Sequence, residues 1–305
     1  MLSELSIQSV RDRVLLLRSL PGFSPLEDHA LTLLAEHMRV RSCKAGHVLL
    51  SLGEPVHHSY VVLEGQVRWR RKDRAPALAQ RLDVVGWLTL MSRDPEGIEA
   101  IATTDAVVLE LPAEVLEHAI EDDFTIARNS MRLGASALLE SRNGLPSPDM
   151  SPPFEMGVLR PERRTLVERL IDMRRAPLFQ RANAEALIAL LRTSSEVRLE
   201  PGTPIWKVGD PATFWLLIEY GRVRCTNEAG VTQEIGANFV IGIMDSLAQA
   251  ARTYDVVTDT LVVANRIELE SFLGVLESHI ELARDFLGFL ATTVLNLQAA
   301  LREQP

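Results

Sequence analysis

The chain has 305 residues, of which 47% are hydrophobic and 24% charged, with a formal net charge of −9. That length admits two domains of about 150 residues, each able to bury a core of its own, and that composition excludes wholesale disorder. The acidic balance argues against a protein whose main work is holding a phosphate backbone by charge, so a nucleic acid is not the expected partner.

The chain opens "MLSELSIQSVRDRVLLLRSL", where charged residues interrupt the apolar ones, so a signal peptide is not expected. No run of 18 apolar residues occurs, so no membrane span or membrane partner is expected either. Cys43 and Cys225 lie far apart and outside any C-x-x-C spacing, which reads as two small buried residues in a reducing compartment. The expected address is the cytoplasm.

After the first helical stretch come the glycine-punctuated, β-rich runs "HVLLSLG", "SYVVLEGQVRWRR" and "DAVVLEL", and then a helix. The same order returns downstream as "TPIWKVG", "TFWLLIEYGRVRC" and "TLVVANRI", again followed by a helix. The two passages superpose without a gap: Pro21 falls on Pro177, a spacing of 177 − 21 = 156 residues, and Phe23 on Phe179, Gly46 on Gly202, Gly53 on Gly209, Gly65 on Gly221 and Gly86 on Gly242 keep it. The chain therefore reads as two tandem copies of one domain. Short strands at regular spacing predict a small β-barrel or jelly roll with flanking helices in each copy, an α+β chain that is mainly β. Residues 1–142 form the first domain, the proline-dense 143–160 a linker, and 161–305 the second domain with its closing helix.

In that closing helix Ile280, Ala283, Leu287, Leu290, Val294, Leu297 and Leu301 recur at alternating three and four residues. A seam of three heptads is longer than one small barrel face needs, so the Ile280–Leu301 helix is expected to carry a homodimer contact; packing on its own barrel is the other reading. The first copy repeats the register as Phe124, Ala127, Met131, Gly134 and Leu138, with a glycine that costs about 1 kcal/mol of helix propensity.

The helix, the run "GHVLLSLGEPVHHSYVVLEGQV" and the glycine-led turn before the next helix resemble the cyclic-nucleotide-binding domain, twice over nearly the whole chain. The resemblance implies a barrel in which one short segment, the phosphate-binding cassette, meets a ligand such as cyclic AMP or cyclic GMP. In the family that segment reads approximately F-G-E-[LIA]-A-L-L-x-x-x-P-R-[AT]-A. Its arginine and the N–H groups of a short helix hold the cyclic phosphate, and its glutamate holds the ribose 2′-hydroxyl.

In the first copy the cassette is "VGWLTLMSRDPEGIEAIA". Gly86 and Pro95 keep the family spacing, but Trp87 takes the glutamate position and Glu96 the arginine position. Losing the charged partner of a desolvated phosphate removes about 2–5 kcal/mol, and a carboxylate adds repulsion, so this cassette reads as degenerate. In the second copy, "IGIMDSLAQAARTYDVV", Arg252 stands ten residues after Gly242 and matches the arginine position, with the Thr253 hydroxyl beside it. Ile243 replaces the glutamate, Asp245 lies two residues further on, and Asp255 falls where a hydroxyl is usual. Gly242, Ile243, Asp245, Arg252 and Thr253 are the candidate ligand-binding set, with two readings open: Arg252 clamps an anionic ligand, or it is kept for a salt bridge within a degenerate cassette.

No catalytic or metal constellation appears. His57 and His58 sit in an expected turn without metal-ligand spacing, and no P-loop, G-x-S-x-G or G-x-G-x-x-G occurs. Too few residues remain after the last helix for a helix-turn-helix reader, so none is expected. "RRTL" at Arg163 and "RRAP" at Arg174 read as solvated helix faces. Trp69, flanked by Arg68, Arg70 and Arg71, reads as a solvated hairpin or a docking edge. The sequence thus predicts a non-enzymatic regulatory or adaptor protein working through protein partners, its second domain a weak or altered cyclic nucleotide sensor. The alternative is a structural scaffold whose pockets are filled by side chains such as Trp87 and Ile243.

Overall fold

The computed structural model describes residue 7 and residues 9–141, 145–146, 156–157 and 165–303. The linker 143–160, apart from those two short pieces, and Arg163 lie outside the described residues. The chain divides into two compact units, one made of Met1–Ser130 with Leu287–Pro305 and the other of Met131–Phe286.

In the first unit, α1 (Val10–Ser19) and α2 (Asp28–His37) lead into eight strands: β1 (Arg39–Cys43), β2 (Val48–Leu50), β3 (His58–Glu64), β4 (Val67–Arg70), β5 (Ala77–Ala79), β6 (Val84–Val85), β7 (Glu99–Ala102) and β8 (Ala106–Pro112). Between β6 and β7 lies the short α3 (Trp87–Ser92), and β8 runs directly into α4 (Ala113–Asp122) and α5 (Phe124–Ser141). The strands make two antiparallel sheets, ordered β1-β8-β3-β6 and β2-β7-β4-β5. This interleaving is the jelly roll that the spacing of the runs predicts. His58 belongs to the first pairing of β3, opposite Pro112, and is not in a turn as the sequence suggested; the β-rich run that starts at Ser59 extends one residue further back.

The second unit repeats the plan. α6 (Leu166–Arg175) begins at a capping box in which Thr165 and Glu168 satisfy each other's backbone N–H groups, and α7 (Ala184–Thr193) at an Asn183 cap. The strands are β9 (Ser195–Leu199), β10 (Pro204–Trp206), β11 (Phe214–Tyr220), β12 (Val223–Asn227), β13 (Thr232–Ile235), β14 (Phe239–Ile241), β15 (Tyr254–Thr258) and β16 (Val262–Glu268), with α8 (Ile243–Ala248) after β14 and α9 (Leu269–Ser278) and α10 (Ile280–Glu303) at the end. Their sheets run β9-β16-β11-β14 and β10-β15-β12-β13. Even the irregularities correspond: β3 shifts register between Val62 and Glu64, and β11 between Ile218 and Tyr220. The next turn needs glycine both times. A Cβ on Gly65 or Gly221, at φ 78° and 93°, would sit 2.3 Å from the Asp105 carbonyl oxygen or 2.1 Å from that of Leu261.

The central strands β3, β8, β11 and β16 are buried on both faces, one toward the barrel interior and one under other parts of the chain, whereas β12 and β15 alternate. Val62, Val67, Val108 and Leu109 are fully buried in the first barrel, and Ile218, Val223, Val256 and Ala264 in the second. The second adds an aromatic chain, Phe179 to Trp215 to Phe272 to Phe286, with ring centroids 6.1, 5.3 and 5.3 Å apart. Cys43 and Cys225 are both unpaired and buried, as expected. Among the described residues no helix is long and apolar enough to cross a membrane.

The Ile280–Leu301 seam is not an open face. Ala283, Leu287, Leu290 and Val294 are at most 4% exposed within the single chain, and only Leu301, at 46%, stands out to solvent. A homodimer contact through the whole seam is therefore corrected to burial within the chain. The physical reason is that the stripe's apolar side chains, recurring every three and four residues along one face of α10, are withdrawn from water.

Candidate functional site

In the second barrel β14 ends at Ile241, and Gly242, at φ 80°, turns the chain sharply into α8, while the return strand β15 starts just past Arg252 and Thr253. The turn is tied to the loop after β10, since the Arg252 N–H donates to the Asp210 carbonyl and the Gly209 N–H to the Arg252 carbonyl, both at 2.9 Å. Its direction fixes where the arginine goes.

Arg252 turns inward. Its side chain is fully buried. Nη1 donates to the Gly242 carbonyl at 2.9 Å, Nη2 donates to the Phe214 carbonyl, and the guanidinium lies 4.0 Å from the centre of the Trp206 ring and 5.1 Å from that of Phe214. Gly242 is glycine for the same reason: a Cβ there would meet Nη1 at 2.5 Å and Trp206 at 2.9 Å. The Gly242 N–H in turn donates to the buried Tyr254 hydroxyl at 2.8 Å. Ile243 is buried at 2% exposure as the first residue of α8.

Asp245 faces the same cluster. Its Oδ1 accepts from the Thr253 N–H at 3.1 Å and the Thr253 hydroxyl at 2.7 Å, and its Oδ2 lies 3.8 Å from Arg252 Nη1. Burial drives the titrations: it raises the Asp245 pKa against the pull of Thr253 and Arg252, and it lowers that of Arg252 against the pull of Asp245. Asp255 takes no part, because its Oδ1 accepts from the Val208 N–H at 2.7 Å. The five candidate residues are thus brought together, but with the arginine engaged by its own cassette. Trp206 and Phe214, which hold it, were not read from the sequence, since their only signal is being aromatic in strands 46 and 38 residues away. A cleft of about 730 Å³ is lined by residues that include Leu139, Glu140, Val208, Asn227, Ala250 and Thr253. Arg252 borders this cleft, but its guanidinium turns inward to the Gly242 and Phe214 carbonyls.

In the first barrel Gly86, at φ 90°, starts α3 in the same way, and the candidates separate. Trp87 packs edge-on against Phe23, with centroids 5.1 Å apart, and does not line the barrel's pocket, which corrects the expectation that it fills it. Packing against the helical segment wins because Phe23 offers it a buried aromatic partner. Glu96 points outward, half exposed, and pairs with Lys72 at 3.1 Å. The pocket is a cavity of about 260 Å³ whose walls include Trp69, Leu78, Asp83, Gly86 and Thr89. The basic run beside Trp69 is neutralised locally, Arg70 by Glu99 at 2.9 Å and Arg71 by Asp94 at 3.3 Å. Among the described residues no cluster of His, Cys, Asp and Glu could hold a metal ion.

A family model for the cyclic nucleotide-binding domain matches residues 40–123 and again 196–279. The chain belongs to the cyclic nucleotide-binding domain family. Each match spans one jelly roll with its cassette, from β1 through α4 and from β9 through α9. No curated protein matches the chain. Among solved structures it is similar to the regulatory subunit of a cAMP-independent protein kinase A from Trypanosoma brucei, a mutant bound to cAMP in the A site, at 17% identity over 99% of this chain and 93% of that one, with a TM-score of 0.35. It is similar to the regulatory domain of Toxoplasma gondii PKA with cAMP at 15% identity, covering 93% of this chain and 97% of that one, TM-score 0.36. The sensor domain of the transcriptional regulator DNR from Pseudomonas aeruginosa aligns at 19% identity with 42% of this chain and 91% of its own, TM-score 0.37. The tandem matches make this a chain of two domains of that family.

Proposed function

We propose that the protein is a non-catalytic regulatory adaptor that works through protein contacts, with a second cassette closed on its own arginine and binding no cyclic nucleotide in the family's pose. One observation carries this reading: the fully buried Arg252 guanidinium is already engaged by the Gly242 and Phe214 carbonyls and the Trp206 ring. A phosphate would have to pull that group from its partners and reopen a filled site, which no differential contact in the cluster favours. The division into repeat domains, 1–142 and 161–305 about the linker 143–160, belongs to this proposal, as does the cytoplasmic address.

A second reading, a weak sensor of cyclic AMP or cyclic GMP, is favoured by a different observation. Arg252 Nε, Asp245 Oδ2 and Trp206 Nε1 are buried without a hydrogen-bond partner among the described residues, and each such atom costs about 1–3 kcal/mol that a ligand could recover. Calorimetric titration of the full chain with cyclic AMP and cyclic GMP decides between them. The adaptor reading expects no binding that depends on Arg252. Saturable binding of either nucleotide to the parent chain that weakens in Arg252→Lys, a variant that keeps the buried charge and is checked for folding by urea unfolding, would establish the sensor.

A further inference from the structure

The two barrels differ at one sheet edge. In the second, β14 pairs only with Leu216–Ile218 of β11, and beyond it Gly157 pairs antiparallel with Tyr220 while the Gly221 N–H donates to the Met156 carbonyl at 2.9 Å. Gly157, at φ 75°, comes so close that a Cβ there would stand 2.3 Å from the Glu219 carbonyl oxygen and 2.9 Å from the Ala237 Cβ. A short piece of extended chain thus closes the edge, and Gly221 and residues 237–240 are all buried. The spacing of 156 residues carries these positions onto Gly65 and residues 81–84 of the first barrel, every one of them exposed. There β6 pairs only with Tyr60 and Val61 of β3, and the Gly65 N–H makes no hydrogen bond among the described residues. Leu82 is 39% exposed at a φ of 71°, a left-handed conformation for which the second barrel uses the better suited Asn238. An apolar side chain is therefore held in water, against its backbone preference, beside an open edge. Arg81 reaches the Leu63 carbonyl at 3.4 Å and has no ion pair among the described residues.

We propose that this edge is a docking seat for an extended segment of a partner protein, in which an acidic residue is followed by an apolar one and a glycine, and which joins the end of β3 as Met156–Gly157 joins the end of β11. The backbone pairing follows from the open Gly65 donor, since an unpaired strand end is a template for another chain. The glycine follows from the occupant of the second barrel, where a side chain would strike the neighbouring carbonyl. The apolar residue follows from the exposed Leu82 and Val84, which such a segment would cover. The acid follows from Arg81, whose fork has donors to spare for a carboxylate. The linker itself runs in this order, as Glu155, Met156 and Gly157. The inference rests on the protein contacts of the proposed function, yet the two fail separately, because this one uses the first barrel and none of the Arg252 cluster.

The probe is a fluorescein-labelled peptide of the linker sequence, PPFEMGVLR (residues 152–160), titrated into the full chain by fluorescence anisotropy while hydrogen exchange at the Gly65 amide is followed by NMR. The peptide is expected to bind with Kd below about 1 mM, to slow exchange at Gly65 about tenfold or more at saturation, and to weaken about tenfold in Arg81→Glu. Arg81 is exposed, so the urea curve of its variant should match the parent and certify folding. The same peptide carrying Gly157→Val should not bind up to about 2 mM. No binding of the parent peptide up to that concentration, binding that leaves Gly65 exchange unchanged, or equal binding of the valine peptide would overturn the assignment. So would a Gly65 amide that is protected in the free chain and opens when residues 1–6 are removed, because the occupant would then be the chain's own first residues.

Discussion

Replacing Arg252 by alanine separates a structural arginine from a ligand-receiving one in the chain without ligand. The substitution removes two charge-assisted hydrogen bonds to carbonyls and the slab of guanidinium packed between Trp206 and Phe214. It also strands Asp245 Oδ2, whose nearest cation is Nη1 at 3.8 Å. Two losses are softened: the Gly242 and Phe214 carbonyls still accept from the Ser246 hydroxyl, at 2.8 and 3.0 Å. Breaking a buried pair by deleting one partner typically destabilises by about 3–5 kcal/mol, and a domain of this size loses roughly 2–4 °C of midpoint per kcal/mol. Urea unfolding of the full chain, followed by the fluorescence of the buried Trp206 and Trp215, reads the loss directly. A change below about 1 kcal/mol would show that the guanidinium contributes nothing to the apo fold and would refute the closed-cassette argument.

Gly242→Ala should destabilise the second barrel by about 2–4 kcal/mol, because the φ of 80° is strained for any L side chain and the new Cβ strikes Arg252 and Trp206; the same urea curves check it. Burial raises the Asp245 pKa, so the folded chain holds this proton more tightly than the unfolded one. Its contribution to stability therefore falls as pH rises from the unfolded carboxyl value of about 3.9 through the raised folded value. Asp245→Asn should remove that fall, seen as a parent-minus-variant stability difference that declines across this window. Burial also raises both thiol pKa values, so Cys43 and Cys225 should resist a thiol reagent at neutral pH and both react once the chain is unfolded.

The fold was legible because its signals are local and doubled. Gly65 and Gly221, or Gly86 and Gly242, each demand a turn that only glycine makes without strain, and the constant spacing shows that both turns serve one plan. The site was half legible. Spacing placed Arg252 in the cassette and drew Asp245 and Thr253 beside it, yet the direction of a guanidinium depends on Phe214 and Trp206, which reach it only through the folded sheet. Arg302 carried no motif at all, since Trp69, whose ring centre lies 4.7 Å from its guanidinium, precedes it by 233 residues. Likewise the three-four periodicity of α10 foretold a buried stripe, but periodicity holds no information about what lies across from it.

The first compact unit needs residues from both ends of the chain, Met1–Ser130 and Leu287–Pro305. During synthesis at about 5–20 residues per second, its opening barrel leaves the ribosome roughly ten to thirty seconds before the helix end that completes it. For that interval the first unit lacks the helix end that completes it, so its folding cannot finish until nearly the whole chain has been made. Cutting the chain at the repeat boundary would make that interval permanent.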